Sequence, residues 1–153
     1  MSDPVFRPAR EADIAAIVAL LADDGLGRGR EKPGLPLDPH YRDAFAALDR
    51  DPNQLLLVAE RDGTIVGTLQ LTFIPGLSRL GMWRGQIEAV RIAASERGTG
   101  LGGAMVGWAI ERCRERGCGL VQLTTDKQRN DAQRFYERLG FVASHEGMKL
   151  ALA

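Results

Sequence analysis

A chain of 153 residues with 44% hydrophobic and 26% charged side chains suits one ordinary soluble globular domain, able to bury roughly 70% of its unfolded surface. Its 20 Lys+Arg balance 20 Asp+Glu, so no global charge points to nucleic acid or an anionic membrane as a partner. The start "MSDPVFRPAR" has no apolar signal core, and the apolar run Ala15 to Ala22 is far short of the roughly 18 residues that a bilayer span needs.

In chain order, Val5-Phe6-Arg7 reads as a short strand. Ile14, Ile17, Val18 and Leu21 recur at helical spacing, and Asp23-Asp24-Gly25 stops that helix. From Gly25 to His40 the chain is rich in Gly, Pro and charge, a loop with a local basic patch at Gly27 to Lys32. Tyr41, Ala44, Phe45 and Leu48 mark a second helix, ended by Asp51-Pro52. "QLLLVAE", the turn "RDG" and "TIVGTLQLTFI" make a hairpin. Pro75 to Gly81 connects it to "MWRGQIEAVRI", a strand with a fault. Gln86 and Glu88 alternate with Ile87 and Ala89, and then the pattern slips by one. Because the side-chain period of a strand is two, the slip predicts a bulge near Ala89 to Arg91.

Leu101, Ala104, Met105, Trp108 and Ala109 form the stripe of a third helix, which Gly117 and Gly119 end. "LVQLTT" is a strand. Asn130 or Asp131 caps a last helix with the stripe Ala132, Phe135, Tyr136 and Leu139, closed by Gly140. "FVASHE" and "MKLAL" read as two final strands around Gly147. The order βααβββαβαββ predicts an α/β fold of the α+β type, a mixed sheet in a single domain over 1–153. Cys113 and Cys118 form no C-x-x-C, so no zinc site is expected, and two free thiols place the chain in the reducing cytoplasm.

The stretch "ERGTGLGGAM" between the bulged strand and the third helix admits three readings. Gly98, Gly100 and Gly103 spell the dinucleotide fingerprint G-x-G-x-x-G, with Asp126 at the end of the next strand. Against it, Ala93 to Arg97 separate strand from glycine, only 27 residues follow Asp126, and no parallel βα array precedes. A glycine turn without a ligand is the second reading. Arg97, Gly100 and Gly102 spell R-x-x-G-x-G, whose glycines let backbone N–H groups approach a pyrophosphate at a helix N-terminus.

"IEAVRIAASERGTGLGGAMVGWAIERCRERG" resembles the cofactor motif of the GNAT superfamily of N-acetyltransferases. "LTTDKQRNDAQRFYERLGF" resembles the adjoining motif, and the element order matches nearly end to end, Asp13 in "READI" included. The resemblance implies transfer of an acetyl group from acetyl-CoA to a primary amine by direct attack. It assigns the pyrophosphate to Arg97, Gly98, Thr99, Gly100, Leu101, Gly102 and Gly103. It assigns the pantetheine arm to Val90, Arg91 and Ile92, whose strand parts from the one at Leu120 to Thr125, and further cofactor contacts to Asn130, Phe135 and Tyr136. Tyr136 matches the general acid, with a core tyrosine as the alternative. Glu88 is the candidate base, or else a surface partner of Arg84 or Arg91, and Gln86 orients substrate or water. An alkylamine with a pKa near 10.4 is almost wholly protonated at pH 7, so attack needs a base or a pocket that lowers that pKa. A backbone N–H near Val90 is the expected oxyanion donor. His40 and His145 read as loop and strand residues, and no metal is expected.

The stretch "LTTDKQRNDAQRFY" also resembles a branch acting on small aminoalkyl compounds, including aminoalkylphosphonates. The acceptor walls are expected at Gly25 to His40 and Pro75 to Trp83, with a small-molecule amine as partner and a homodimer possible through free strand edges. An acetyl-CoA-binding regulator or an inactive domain is the alternative to an enzyme, and an NAD-binding oxidoreductase fragment the third.

Overall fold

The uninterrupted apolar run Leu55 to Ala59 and the apolar-rich partner "TIVGTLQL" demand a hairpin buried on both faces, and the sheet is built on it. In a computed structural model that describes residues 2–129 and 131–153, one five-stranded sheet runs in sequence order: β1 (Val5–Pro8), β2 (Gln54–Arg61), β3 (Thr64–Ile74), β4 (Arg84–Ile92) and β5 (Leu120–Gln122). The first four pair antiparallel, and β5 joins β4 in parallel. Asp62 and Gly63 turn the hairpin at φ 52° and 79°, the paired positive φ that an Asp-Gly turn supplies.

Neighbours in a strand face opposite sides, so Leu57 and Val58 enter two different cores. Val58 packs with Ala9 and Ile17 beside Leu21 and Phe45, under α1 (Ile14–Ala22) and α2 (Pro39–Asp49). Leu57 joins the main core with Leu69, Leu71, Ile87, Met105 and Val106, under α4 (Leu101–Glu115). Between β3 and β4 a short turn, α3 (Ser78–Gly81), holds Arg79 and Leu80 at positive φ. The last helix is α5 (Ala132–Arg138). The buried stripe of α4 is Leu101, Gly102, Met105, Val106, Ala109 and Cys113. It is rotated from the expected stripe, leaving Ala104 exposed, because α4 lies so close on the sheet. A Cβ at Gly85 would stand 2.2 Å from the Cys113 sulfur, so β4 needs a glycine there. Burial pushes the Cys113 thiol up to about 12, an inert side chain at neutral pH.

Two expectations fail. The strand expected over Leu120 to Thr125 ends at Gln122, and no strand forms at "FVASHE" or "MKLAL". Residues 142–153 are exposed throughout. Alternation prepares a segment to be a strand, but the ladder also needs an edge to pair with, and none of the described strands takes these residues.

Arg7 donates to both carboxylate oxygens of Asp13, at 2.8 and 3.1 Å, and the Arg10 N–H adds a third bond at 2.7 Å. Asp13 is 8% exposed, and the Arg7 bond holds its carboxyl below the ordinary range although burial opposes this. A depressed carboxyl stabilises the fold above its unfolded pKa, near 3.9, and loses that effect as pH falls through its folded value. Asp13→Ala should therefore cost about 2 kcal/mol at pH 7, because half-buried Arg7 loses its two-point partner and keeps only Glu60, at 3.4 Å, as counter-charge. Urea unfolding should show the gap between wild type and variant narrowing below about pH 4.

Candidate active site

The phase slip in β4 is a bulge. Thr68 pairs with Arg91 and Gln70 with Glu88, so Ala89 and Val90 together oppose Leu69, and Ala89 stands at φ 54°. The extra residue corrects the alternation. Gly85 abuts Cys113 of α4, and Ile92 comes within 3.6 Å of where a Gly102 Cβ would stand. Without a bulge, positions 85 and 92 would face opposite sides. β4 pairs with β5 only from Arg84 to Gln86. Past that point the two strands have no ladder between them, and the backbone of β4 on this side is free for another partner.

The Gly-rich loop follows. Its root is a charged pair: Arg61 Nε donates to Glu96 Oε1 at 2.7 Å, with Glu96 only 4% exposed. The Glu96 carbonyl accepts from the Thr99 N–H at 3.2 Å and the Thr99 hydroxyl at 2.7 Å. Gly98 and Gly100 take φ 77° and 84°. A Cβ at either would meet nothing within 4 Å, so the backbone conformation, and not the space, requires glycine. Gly100 caps α4. Gly102 is a close approach, since its Cβ would lie 3.3 Å from the Phe135 ring and would press that ring back by a few tenths of an ångström. Among the described residues no acceptor takes the N–H of Gly98, Gly100, Gly102 or Gly103. These donors converge at the positive end of a 15-residue helix, which suits the pyrophosphate of a cofactor.

Val90, Ile92, Arg97, Gly102, Phe135 and Tyr136 line one cleft of about 460 Å³, together with Arg129, Asp131 and Ala132. Six expected residues are thus brought together. Leu101 is 2% exposed and belongs to the core, so only its backbone reaches the loop. Gly98, Thr99, Gly100 and Gly103 form the loop itself. Asn130 lies outside the described residues. Tyr136 meets Phe135 and Phe141 edge to face, at ring separations of 5.0 and 5.8 Å. Burial raises its phenol above the ordinary value, against the opposing pull of Arg91 and Arg129.

Glu88 is exposed on the face turned from α4. It lies opposite Gln70, and the next row across the sheet is Gln54, Thr72, Gln86 and Gln122. These amides bond one another, Gln122 to Gln86 at 3.0 Å and Gln70 to Gln54 at 3.1 Å. Glu88 and Tyr136 therefore flank the parting of β4 and β5 from opposite faces. Arg91 Nη1 donates to the Val90 carbonyl at 2.9 Å, and Arg91 Nε stands 3.2 Å from Asp24 Oδ2. Arg129 Nη1 reaches the same oxygen at 2.5 Å. Asp24, Gly25, Leu26, Gln128 and Arg129 line a neighbouring hollow of about 350 Å³, so the loop after α1 does border the cleft. Pro75 to Trp83 does not. It joins β3 to the start of β4, about 23 Å along the strand from Val90 at 3.3 Å per residue. Arg129 and Asp24 escaped the sequence reading because a loop arginine and a helix-stopping aspartate carry no periodic signal.

A family model described as the acetyltransferase (GNAT) family matches residues 20–141. An aminoalkylphosphonate N-acetyltransferase of Salmonella typhimurium is 37% identical over 105 residues, 69% of this chain and 68% of its own. A glucosamine 6-phosphate N-acetyltransferase of Trypanosoma brucei brucei is 39% identical over 90 residues, 59% of each chain. The crystal structure of a transcriptional regulator from Bacillus halodurans C-125 is 52% identical and superimposes with a TM-score of 0.96, covering 98% of this chain and 100% of that one.

Gly100→Val places a branched side chain at φ 84°, which costs about 1–2 kcal/mol of backbone strain, and obstructs the approach of a phosphate. CoA at a hundredfold excess over Kd should stabilise the wild type by about 2.7 kcal/mol. In thermal melts the variant should show no shift with CoA, and NAD should shift neither protein.

Proposed function

Because this chain belongs to the acetyltransferase (GNAT) family, it is an acetyl-CoA-dependent N-acetyltransferase, and we propose that its acceptor is a small primary amine bearing a phosphonate or phosphate. The observation that carries this reading is the arginine cluster beside the cleft. One carboxylate, Asp24, is shared by Arg91 and Arg129, and Arg30 stands 3.8 Å from Asp126. Burial and then the repulsion of Arg129 hold the Arg91 guanidinium below its ordinary value. Its Nε is buried without a well-formed hydrogen bond. A cation so short of counter-charge suits an anionic ligand. Two relatives are named for an aminoalkylphosphonate and for glucosamine 6-phosphate.

Acetyl-CoA, when bound, supplies the acetyl thioester. The free N–H groups from Gly98 to Gly103 and the Arg97 side chain hold its pyrophosphate in this reading, and Val90 and Ile92 offer backbone to its arm. Phe135, which lines the cleft, is assigned to the cofactor, and the assignment of Asn130 rests on the family motif alone. Glu88 takes the proton of the attacking amine, directly or through water held by Gln86. Its position among neutral amides lets a polar acceptor lie on that face. Tyr136 gives a proton to the departing sulfur. Its raised pKa keeps the phenol protonated at neutral pH, the state that a donor needs. The backbone N–H of Val90 meets the developing oxyanion.

One acetyltransferase domain over 1–153, a cytoplasmic site and association with a second copy belong to the same proposal. No helix of the described residues is long and apolar enough to cross a membrane, and Cys113 and Cys118 are free thiols.

Release of free thiol from acetyl-CoA, measured across a panel of amines, tests the acceptor. An aminoalkylphosphonate should exceed the phosphonate-free amine of equal length by tenfold or more in kcat/KM. Arg129→Ala should raise KM for the phosphonate alone. Equal rates for the two amines would overturn the anionic acceptor.

Tyr136→Phe should retain CoA binding and lower kcat by roughly 100-fold, the order expected for a lost general acid. Glu88→Gln should lower kcat/KM most near neutral pH and least near pH 9–10, where the amine deprotonates more readily by itself. A uniform loss across the pH range would make Glu88 a positioning residue instead.

A further inference from the structure

On the sheet face turned from α4, the amides of β4 and β5 are joined to a cation. Gln86 and Gln122 are the last pair of the β4–β5 ladder, so their side chains meet at the fork where the two strands part. Gln122 Nε2 donates to Gln86 Oε1 at 3.0 Å. Arg84 Nη1 donates in turn to Gln122 Oε1 at 3.4 Å. Arg84, Gln122 and Gln86, all half-buried, thus form one directed chain of hydrogen bonds.

Its direction has a cause. An amide donates at one end and accepts at the other, whereas a guanidinium has donors only. Arg84 therefore fixes Gln122 with its oxygen toward the cation and its NH2 toward Gln86. Gln86 must then give its oxygen to Gln122 and turn its own NH2 out of the chain. Among the described residues no acceptor takes that Nε2, and it is not buried. The neighbouring amides lack such an anchor. Gln70 Nε2 and the Thr72 hydroxyl both donate to Gln54 Oε1, at 3.1 and 3.0 Å. A hydroxyl donates or accepts equally well, so nothing dictates the sense of that pair.

Pairing with Thr72, Gln70 and Thr68 sets Gln86, Glu88 and, past the bulge, Arg91 on this face of β4. With the anionic group of the acceptor at the Arg91 end, Gln86 lies on the other side of the amine. A water that carries the amine's proton to Glu88 accepts one bond from the amine and donates one to the carboxylate. An N–H donor fills its second lone pair and leaves its hydrogens for Glu88. A carbonyl in the same place would draw one of those hydrogens away.

We infer that Arg84 is a positioning residue for acetyl transfer: acting through Gln122, it makes Gln86 present a donor, and not an acceptor, beside Glu88. The inference rests on the reading of Glu88 as the base, and is independent of the phosphonate.

Gln122→Glu tests it by reversing the chain. A carboxylate accepts only, so it keeps Arg84 and obliges Gln86 to donate to it and turn its carbonyl outward. Steady-state rates are measured with acetyl-CoA and an aminoalkylphosphonate, and again with the phosphonate-free amine of equal length. Gln122→Glu should lower kcat about tenfold with either amine, the order of one misdirected hydrogen bond, while CoA shifts its melting temperature as in the wild type. Gln86→Leu should lose as much, and Gln122→Glu should cost nothing further in that background, because the donor is already gone. Arg84→Met and Gln122→Met should each lose roughly threefold, and the double variant no more than either alone, since both free the same amide.

A Gln122→Glu enzyme with the kcat of the wild type would overturn the inference. So would a full loss on top of Gln86→Leu, which would trace the effect to the new charge, or additive losses from Arg84→Met and Gln122→Met. Glu88→Gln separates the two readings. If it is impaired while Gln122→Glu is not, the base stands and the role of Arg84 falls. If Glu88→Gln has the rate of the wild type at every pH, both fall together.

Discussion

Of the nine residues of β4, only the first three pair with β5. That loss of pairing is the constraint on which the site depends. Two parallel strands that stayed laddered along their length would leave no gap and no free backbone. The bulge sharpens the effect. Ala89 holds a left-handed φ, at a cost of about 1–2 kcal/mol, and β3 maintains it by pairing on both sides of the extra residue, at Arg91 and at Glu88. Backbone groups near Val90 are thereby turned out of the regular ladder at the place where the strands separate.

The glycine loop depends on the same geometry, because it begins where β4 ends. A loop with two left-handed glycines is floppy unless its root is fixed. Glu96 does this with its side chain on Arg61 of β2 and its carbonyl on Thr99. The buried pair is worth more as a positioning device than as a source of stability, since desolvation offsets most of its attraction. It sets where α4 starts, and so where the free N–H groups point. Gly102 then lets α5 approach closely enough for Phe135 and Tyr136 to form the far wall of the cleft.

Charge at the acceptor side is arranged by sharing. Asp24 ends α1, Arg91 lies on β4 and Arg129 precedes α5, and a single carboxylate oxygen serves both arginines. Asp24 is half-buried, and desolvation by itself would raise its pKa. The Gly27 N–H, Arg129 and Arg91 together hold it below the ordinary carboxylate range. The carboxylate therefore stays charged at neutral pH, and the arginines are oriented without being fully neutralised.

Sequence by itself determined the features that repeat over short distances. The helical stripes, the Asp-Gly hairpin, the glycine motif and the single-residue slip at Ala89 are all local, with signals confined to neighbours two to four positions apart. The acetyltransferase (GNAT) family was legible for the same reason, since its two motifs are contiguous stretches. Tertiary structure alone decided what joins distant residues. Asp24 and Arg129 are 105 positions apart, and nothing in either neighbourhood announces the other. The loop at Pro75 to Trp83 reads like any other acceptor wall until the sheet places it at the far end of β4. The C-terminal segment shows the limit most plainly. Its alternation is correct for a strand, yet a strand is completed by the edge it pairs with, and no residue in "MKLAL" states which edge that is.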